Sequence, residues 1–130
     1  MSAWRKRAIE SLPSLKKDFE DPQTSIYGVF MELLPVTVAS HKSNNVAQLK
    51  KNYDFAEWCF RQKSENLWNA ACVSLYEHLG NKTETLQAIH LWVKQDIYIE
   101  IRSLLKQRVG EATLKIIDGL YGLSNARFTG

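Results

Sequence analysis

The sequence predicts an all-α fold, with about six to seven antiparallel helices in a single domain over residues 1–130, as a bundle or a short repeat-like stack. Three observations carry this expectation. Apolar residues recur at steps of three and four along nearly the whole chain, the period of an amphipathic helix. Between the stripes lie short polar turns marked by Pro, Gly, Ser or Asn, and no internal repeat or low-complexity tract interrupts them. Hydrophobic residues make up 45% of the 130, and the four Trp, five Tyr and five Phe among them can fill a core without metal or disulfide support.

The elements follow in order. Trp4, Ala8, Leu12, Leu15 and Phe19 form a first stripe broken by Pro13, which predicts a helix to about residue 11 and then a turn or two with Pro13 near their start. Residues 21–25 read as a loop in which Thr24 or Ser25 caps the next helix. That helix carries Ile26, Val29, Phe30, Leu33 and Leu34. Gly28 and Pro35 weaken it, so a kink is expected between Met31 and Pro35, and residues 41–45 read as a polar connector.

Val46, Leu49, Tyr53, Ala56 and Phe60 make the clearest stripe, widened by Phe55, Trp58 and Cys59, so this helix is expected to be contacted from two sides. Residues 61–64 form a turn, with Ser64 as cap for a helix striped by Trp68, Cys72, Leu75 and Leu79. Gly80 is expected to end that helix in a left-handed conformation. Asn81 with Glu84 matches a capping box, after which Leu86, Ile89 and Val93 continue helically. Ile97, Ile99 and Ile101 alternate as in a strand, yet Ile97, Ile101, Leu104 and Leu105 also fit a helix; with no partner strand elsewhere, helix is the reading taken. Gly110 sets off a last helix with Leu114, Ile117 and Tyr121. Gly119 and Gly122 are expected to fray it, and Ser124 to Gly130 to be loosely held.

The net charge is +3, from 17 basic and 14 acidic residues, too small a surplus to imply nucleic acid without clustering. Lys50, Lys51, Arg102, Lys106 and Arg108 are interspersed with acids; Lys106, Arg108 and Lys115 are candidates for a C-terminal basic face. Arg5, Lys6, Arg7, Lys16 and Lys17 precede Asp18, Glu20 and Asp21, a dipolar stretch that reads as a solvated surface. Cys59 and Cys72 lie inside apolar helical patterns, as expected of buried free thiols in a reducing compartment. The first residues lack the apolar core of a signal peptide and no apolar run reaches a membrane span, so the expected location is the cytoplasm.

No catalytic constellation emerges. His41, His78 and His90 join no metal-ligand pattern, Cys72 and His78 are six apart on a presumed helix, and no glycine-rich phosphate loop is present. Neither a metal nor a cofactor is expected. Glu77, beside Tyr76 and His78, is the one carboxylate whose setting suggests a perturbed group, and its plainer role is an ion pair at the rim of a stripe.

The segments Tyr53-Asp54-Phe55-Ala56-Glu57-Trp58-Cys59-Phe60 and Asn69-Ala70-Ala71-Cys72-Val73-Ser74-Leu75-Tyr76-Glu77-His78-Leu79 carry a resemblance. Over roughly residues 25–80 the chain resembles small bacterial all-helical proteins of unassigned function, which are similar to immunity proteins of polymorphic toxin and contact-dependent growth inhibition systems. The resemblance implies a non-enzymatic protein that occludes the active site of a cognate toxin domain, a nuclease being the expected type, without touching nucleic acid or membrane itself. Acidic patches are the candidate contact sites, either Asp18, Glu20 and Asp21 or Asp54, Glu57 and Glu65, although the positive net charge departs from a broadly acidic inhibitor. Two other readings stand beside it: a helical adaptor or homo-oligomeric scaffold, and an enzyme using Glu57, Glu77 and His78.

Overall fold

Helix termini show how this chain partitions into elements. A computed structural model describes residues 1–123, among which there are seven α-helices and no strand. They are α1 (Ala3–Ser11), α2 (Lys16–Glu20), α3 (Ile26–Lys42), α4 (Val46–Phe60), α5 (Glu65–Ser74), α6 (Thr83–Trp92) and α7 (Gln95–Leu120), with 3₁₀ turns at Pro13–Leu15 and Tyr76–Asn81. The expectation for Ser124 to Gly130 lies outside the described residues. Contacts gather the chain into two compact units, the first being Met1–Leu75 and the second beginning at Tyr76.

In the first unit, Ser2 and Ser25 cap α1 and α3 by accepting from Arg5 N and Gly28 N, the latter at 3.1 Å. Pro13 opens the 3₁₀ turn, as its fixed φ favours. The Arg5 guanidinium donates to the carbonyls of Phe19 at 2.5 Å, Asp21 at 2.9 Å and Thr24 at 3.0 Å, satisfying the end of α2 and its loop at once.

α3 runs without interruption through Pro35 to Lys42. A proline removes one hydrogen bond, but Leu33, Thr37 and Ser40 are buried on either side of it, and that packing keeps the helix going. The connector shrinks accordingly. Asn44 takes a left-handed φ of 55°, Asn45 N donates to Ser40 O at 2.8 Å and Asn44 N to His41 O at 3.2 Å, a Schellman closure with Asn in the glycine position. Asn45 then caps α4 by accepting from Gln48 N at 3.2 Å.

α3, α4 and α5 each pack on the other two, a bundle arrangement rather than a linear stack. Their buried faces are Val29, Phe30 and Leu33, then Leu49, Tyr53 and Ala56, then Leu67, Ala70 and Ala71. Phe30 and Phe55 lie 5.4 Å apart between ring centroids. α4 takes the span its stripe predicts and is covered from a second side by α1.

α5 is shorter than its stripe predicts. It ends at Ser74, and Leu75 leaves helical geometry with φ −125° and ψ −68°. Leu75 and Leu79 are both fully buried, so the stripe persisted in sequence although the backbone changed. Ser64 occupies the cap position of α5 but makes no side-chain hydrogen bond there.

In the second unit the Tyr76–Asn81 turn packs against α6 and α7. Gly80 is not left-handed there. It is small because an added Cβ would lie 2.5 Å from Val109 Cγ1, so its role is close approach. The capping box at Asn81 does not form: Lys82 is the cap residue, Asn81 bonds His78 Nδ1 at 3.1 Å, and the Thr85 hydroxyl reaches the carbonyls of Leu79 and Lys82 instead. Residues 97–101 are helical, with Ile97, Tyr98 and Ile101 buried and Ile99 at the surface.

Gly110 divides α7 with φ 82° and ψ 169°, a region open essentially to glycine alone. An unbroken helix would hold Arg102 and Asp118 about 24 Å apart. They are ion-paired at 2.6 Å, so the chain reverses at Gly110 into a helical hairpin. The end of the hairpin is closed rather than frayed. Gly122 has φ 72°, Leu123 N donates to Asp118 O at 2.9 Å and Gly122 N to Gly119 O at 3.0 Å, a second Schellman motif with Leu123 buried behind it.

Gly110→Ala is therefore expected to lower unfolding free energy by about 1–3 kcal/mol in a denaturant titration. Gly119→Ala, inside the helix with open space around its Cβ, should be neutral or stabilising by up to about 1 kcal/mol. Equal effects of the two substitutions would remove the hairpin argument.

Candidate functional site

A groove of about 330 Å³ runs between α1 and α4 in the first unit, lined by Arg7, Glu10, Ser11, Lys51, Asp54 and Phe55. Its position follows from a chain of buried polar groups. Asn52 is wholly buried within the apolar stripe of α4, and Thr37 is wholly buried on α3. The Gln48 amide donates to Ser11 O at 2.9 Å and to Asn52 Oδ1 at 2.7 Å. Asn52 Nδ2 donates to Thr37 Oγ1 at 3.0 Å, and the Thr37 hydroxyl donates to Leu33 O at 2.8 Å. Each side-chain group meets a partner, so the chain avoids the penalty of an unpaired buried polar atom, about 1–3 kcal/mol. It takes up the last carbonyl of α1 and fixes that helix against α4.

The groove walls are charged. Arg7 is exposed, and its guanidinium lies 4.6 Å from the Trp58 ring centroid. Among the described residues it has no ion-pair or hydrogen-bond partner for its side chain. Asp54 accepts from Lys50 Nζ at 2.7 Å, and this pair holds the Lys50 ammonium above its ordinary range. Both partners are more than half exposed, so the pair is screened by solvent and adds little to stability. Glu57, one turn further, accepts from Arg61 Nε at 2.9 Å. Beneath the surface, burial pushes the Cys59 thiol up to about 12 with Arg7 pulling the other way, so Cys59 is a packed, unreactive thiol.

The six carboxylates expected as contacts, in two alternative patches, are distributed over α2 with its following turn, α4 and α5. Asp54 lines the groove and Glu57 follows on the same face of α4. Glu65 lies in the first turn of α5, where the helix dipole favours it. Asp18 and Glu20 are exposed on α2, and Asp21 is engaged in a turn, its Oδ1 accepting from Gln23 N at 2.9 Å. Most of the resembling segments are core: Phe55, Ala56, Cys59, Ala70, Ala71, Leu75, Tyr76 and Leu79 are all buried. Glu77 and His78 point to different partners, Arg108 at 3.6 Å and Asn81 at 3.1 Å, so they form no dyad.

A second polar cluster sits in the other unit, and the sequence analysis did not anticipate it. Asp118 is 1% exposed, accepts from Tyr98 at 2.6 Å, and receives Arg102 through Nε at 3.0 Å and Nη2 at 2.6 Å. Burial opposes its ionisation, but the Arg102 and Tyr98 hydrogen bonds and the Arg102 charge outweigh this and hold the carboxyl below its usual range. Tyr121 stacks on Tyr98 at 4.3 Å, and its hydroxyl reaches the carbonyls of Ile89 and Val93. Burial first, and Asp118 second, push the Tyr98 hydroxyl well above its normal range. A signal was present: Leu114, Ile117, Asp118 and Tyr121 follow helical spacing, which places a carboxylate within an apolar stripe. Asn52 breaks the α4 stripe in the same way, between Leu49 and Ala56. The arrangement closes the hairpin.

Near that cluster, a cleft of about 350 Å³ at the α6–α7 corner is lined by His90, Leu91 and Tyr121 among others. His90 Nδ1 is buried there without a hydrogen-bond partner among the described residues. No group of three or more His, Cys, Asp or Glu residues among the described residues is placed to hold a metal ion.

A family model described as a domain of unknown function (DUF7674) matches residues 5–109, and the chain belongs to that family. The groove and its polar chain lie within the matched span, whereas Asp118 and Tyr121 lie beyond it. No curated protein and no solved structure matches the chain.

The Asp118 cluster makes stability depend on acid in a defined direction. A carboxyl whose pKa is lowered by folding stabilises the protein above its unfolded value of about 3.9, and that contribution is lost as pH falls below it. Asp118→Asn should cost about 3 kcal/mol at neutral pH, because it strands the Arg102 charge. It should also flatten the loss of stability between about pH 5 and pH 2, measured by denaturant unfolding across pH. A variant with wild-type acid dependence would show that Asp118 is not the responsible group.

Proposed function

We propose that this member of the DUF7674 family acts without chemistry of its own, by binding another protein through the α1–α4 groove. The reading we favour is an immunity protein that covers the active site of a cognate bacterial toxin domain, a nuclease by preference. The observation that carries the binding reading is the groove itself, whose charged walls carry an exposed Arg7 lying over the Trp58 ring, the residue types enriched where interfaces concentrate their energy. Asp54 and Glu57 flank it, and their weak surface pairs can be exchanged for pairs with a partner at little cost. The immunity assignment rests on the resemblance over residues 25–80. The location that fits it is the cytoplasm, where a toxin would meet its substrate; no described helix is long and apolar enough to cross a membrane.

A homo-oligomeric scaffold is the second reading. Ile116 and Leu120, one turn apart on the last helix, are 66% and 47% exposed, an apolar pair of the kind that self-association buries. Light scattering of the purified chain separates the two, since an obligate oligomer favours the scaffold.

Co-expression with the product of the adjacent gene tests the leading reading. The expected outcome is rescue of growth and a one-to-one complex on gel filtration. A harmless adjacent product, or a toxic one that this protein neither binds nor neutralises, would defeat it.

A further inference from the structure

The long solvent-facing helix surfaces of the first unit carry charge, with one exception. α1 exposes Lys6, Arg7 and Glu10, and α4 exposes Lys50, Lys51 and Asp54. From Ile26 to Ser40 the one charged residue of α3 is Glu32, and this helix is apolar on both sides. Its inner side is the buried stripe of Val29, Phe30 and Leu33. Its outer side carries Tyr27, Met31, Leu34, Pro35, Val38 and Ala39, of which Met31, Pro35 and Ala39 are exposed and the others half-buried. Met31 is 72% exposed, more than any other large apolar side chain among the described residues. A helix apolar all round is normally buried all round, so the outer side of α3 is the kind of surface that association covers.

Its make-up suits contact between proteins, because interface cores are depleted in charge and enriched in Met and Tyr. Pro35 and Ala39 have no side-chain freedom to lose and Val38 has little, so ordering this face costs less than ordering a row of lysines. The spacing then selects the occupant. Positions 27, 31, 34, 35, 38 and 42 advance by steps of four, three, one, three and four, which read the same from either end. Under the two-fold axis of an isologous dimer, an antiparallel second copy sets Met31 against Val38, Leu34 against Pro35 and Tyr27 against Lys42. Each central apolar residue then meets another, and the Lys42 stem crosses the Tyr27 ring. Glu32 stands at the rim of the face, where water still reaches it. Two such faces together bury on the order of 1,000 Å², the lower bound for a specific interface, which suits a reversible dimer rather than an obligate one.

We propose that the outer face of α3 is a self-association surface, on which a second copy of this chain docks antiparallel with the two-fold axis between Leu34 and Pro35. The face shares no residue with the α1–α4 groove, so the inference goes beyond the groove reading and does not rest on it. It also differs from the scaffold reading, because it uses α3 in place of Ile116 and Leu120 and its dimer dissociates on dilution.

Analytical ultracentrifugation of the full chain, from about 1 μM to about 500 μM, should show a monomer–dimer equilibrium with a dissociation constant of about 10–100 μM. Met31→Lys and Val38→Glu each put a charge on the apolar face and should each weaken the dimer at least about tenfold. Both side chains reach the surface, and circular dichroism checks that the variants stay folded. Mixed in equal amounts, the two variants should dimerise again, because the antiparallel register brings the introduced lysine of one copy against the introduced glutamate of the other. Ile116→Lys should leave the equilibrium unchanged. A chain that stays monomeric to about 500 μM overturns the proposal, the concentration being well above the expected constant. So does a dimer indifferent to Met31→Lys, or a mixture of the two variants that remains monomeric. A dimer lost on Ile116→Lys and retained on Met31→Lys overturns it in favour of the last helix. A monomeric chain whose binding to the adjacent gene product is lost on Met31→Lys overturns it in favour of a foreign partner on this face. The equilibrium is measured on the chain alone, so failure of the adjacent product to bind defeats the immunity reading and leaves this result standing.

Discussion

The first unit depends on a run of hydrogen bonds through its apolar interior, from the end of α1 through Gln48 and Asn52 to Thr37 and the Leu33 carbonyl. Apolar packing alone would hold α1, α3 and α4 together in several registers, since one turn of leucines resembles the next. The polar run permits one register, because sliding α1 by a turn would leave the Gln48 amide and the Ser11 carbonyl without partners. Such a chain is useful only when complete; every break in it strands a buried dipole. The groove is a consequence, being the space left where α1 is held beside α4 at that fixed offset.

The second unit reaches the same end with a charge. Gly110 gives the α7 chain a point at which to reverse, and the Arg102–Asp118 pair with the Tyr98 hydroxyl closes the reversal. A buried carboxylate is a risky device, since its desolvation is repaid only if all its lone pairs are used. Here one oxygen accepts from Tyr98 and Arg102, and the other from Arg102. Tyr121 covers the cluster by stacking on Tyr98. Each unit therefore places one polar residue within an apolar stripe and uses it to specify how helices meet.

The sequence was most legible where a single force decides the outcome. α4 has its stripe and its bounds in plain view, because burial of one face dominates there. Where two forces compete, local pattern misled. The connector expected at residues 41–45 is shortened because α3 runs on to Lys42, and the stripe through Leu75 and Leu79 suggested a helix that had already given way to a 3₁₀ turn. Gly80 was read for its backbone freedom when its missing side chain mattered, as only the neighbouring Val109 reveals. The candidate site was legible in part. Asp54 and Trp58 stood out from the sequence, but Arg7 lies more than forty residues away from them, and only tertiary packing brings it over the indole.

The joint between α3 and α4 bears on the order in which these features arise. Asn45 serves both as the end of one helix and as the cap of the next, so the two helices are tied by contacts only a few residues apart in the chain. Closing such a short loop is fast, whereas α1 must find Gln48 across a separation of 37 residues. By loop-closure entropy alone, the α3–α4 contacts are the cheaper to form and those of α1 the more costly. The groove between α1 and α4 therefore exists only once that longer-range contact has formed.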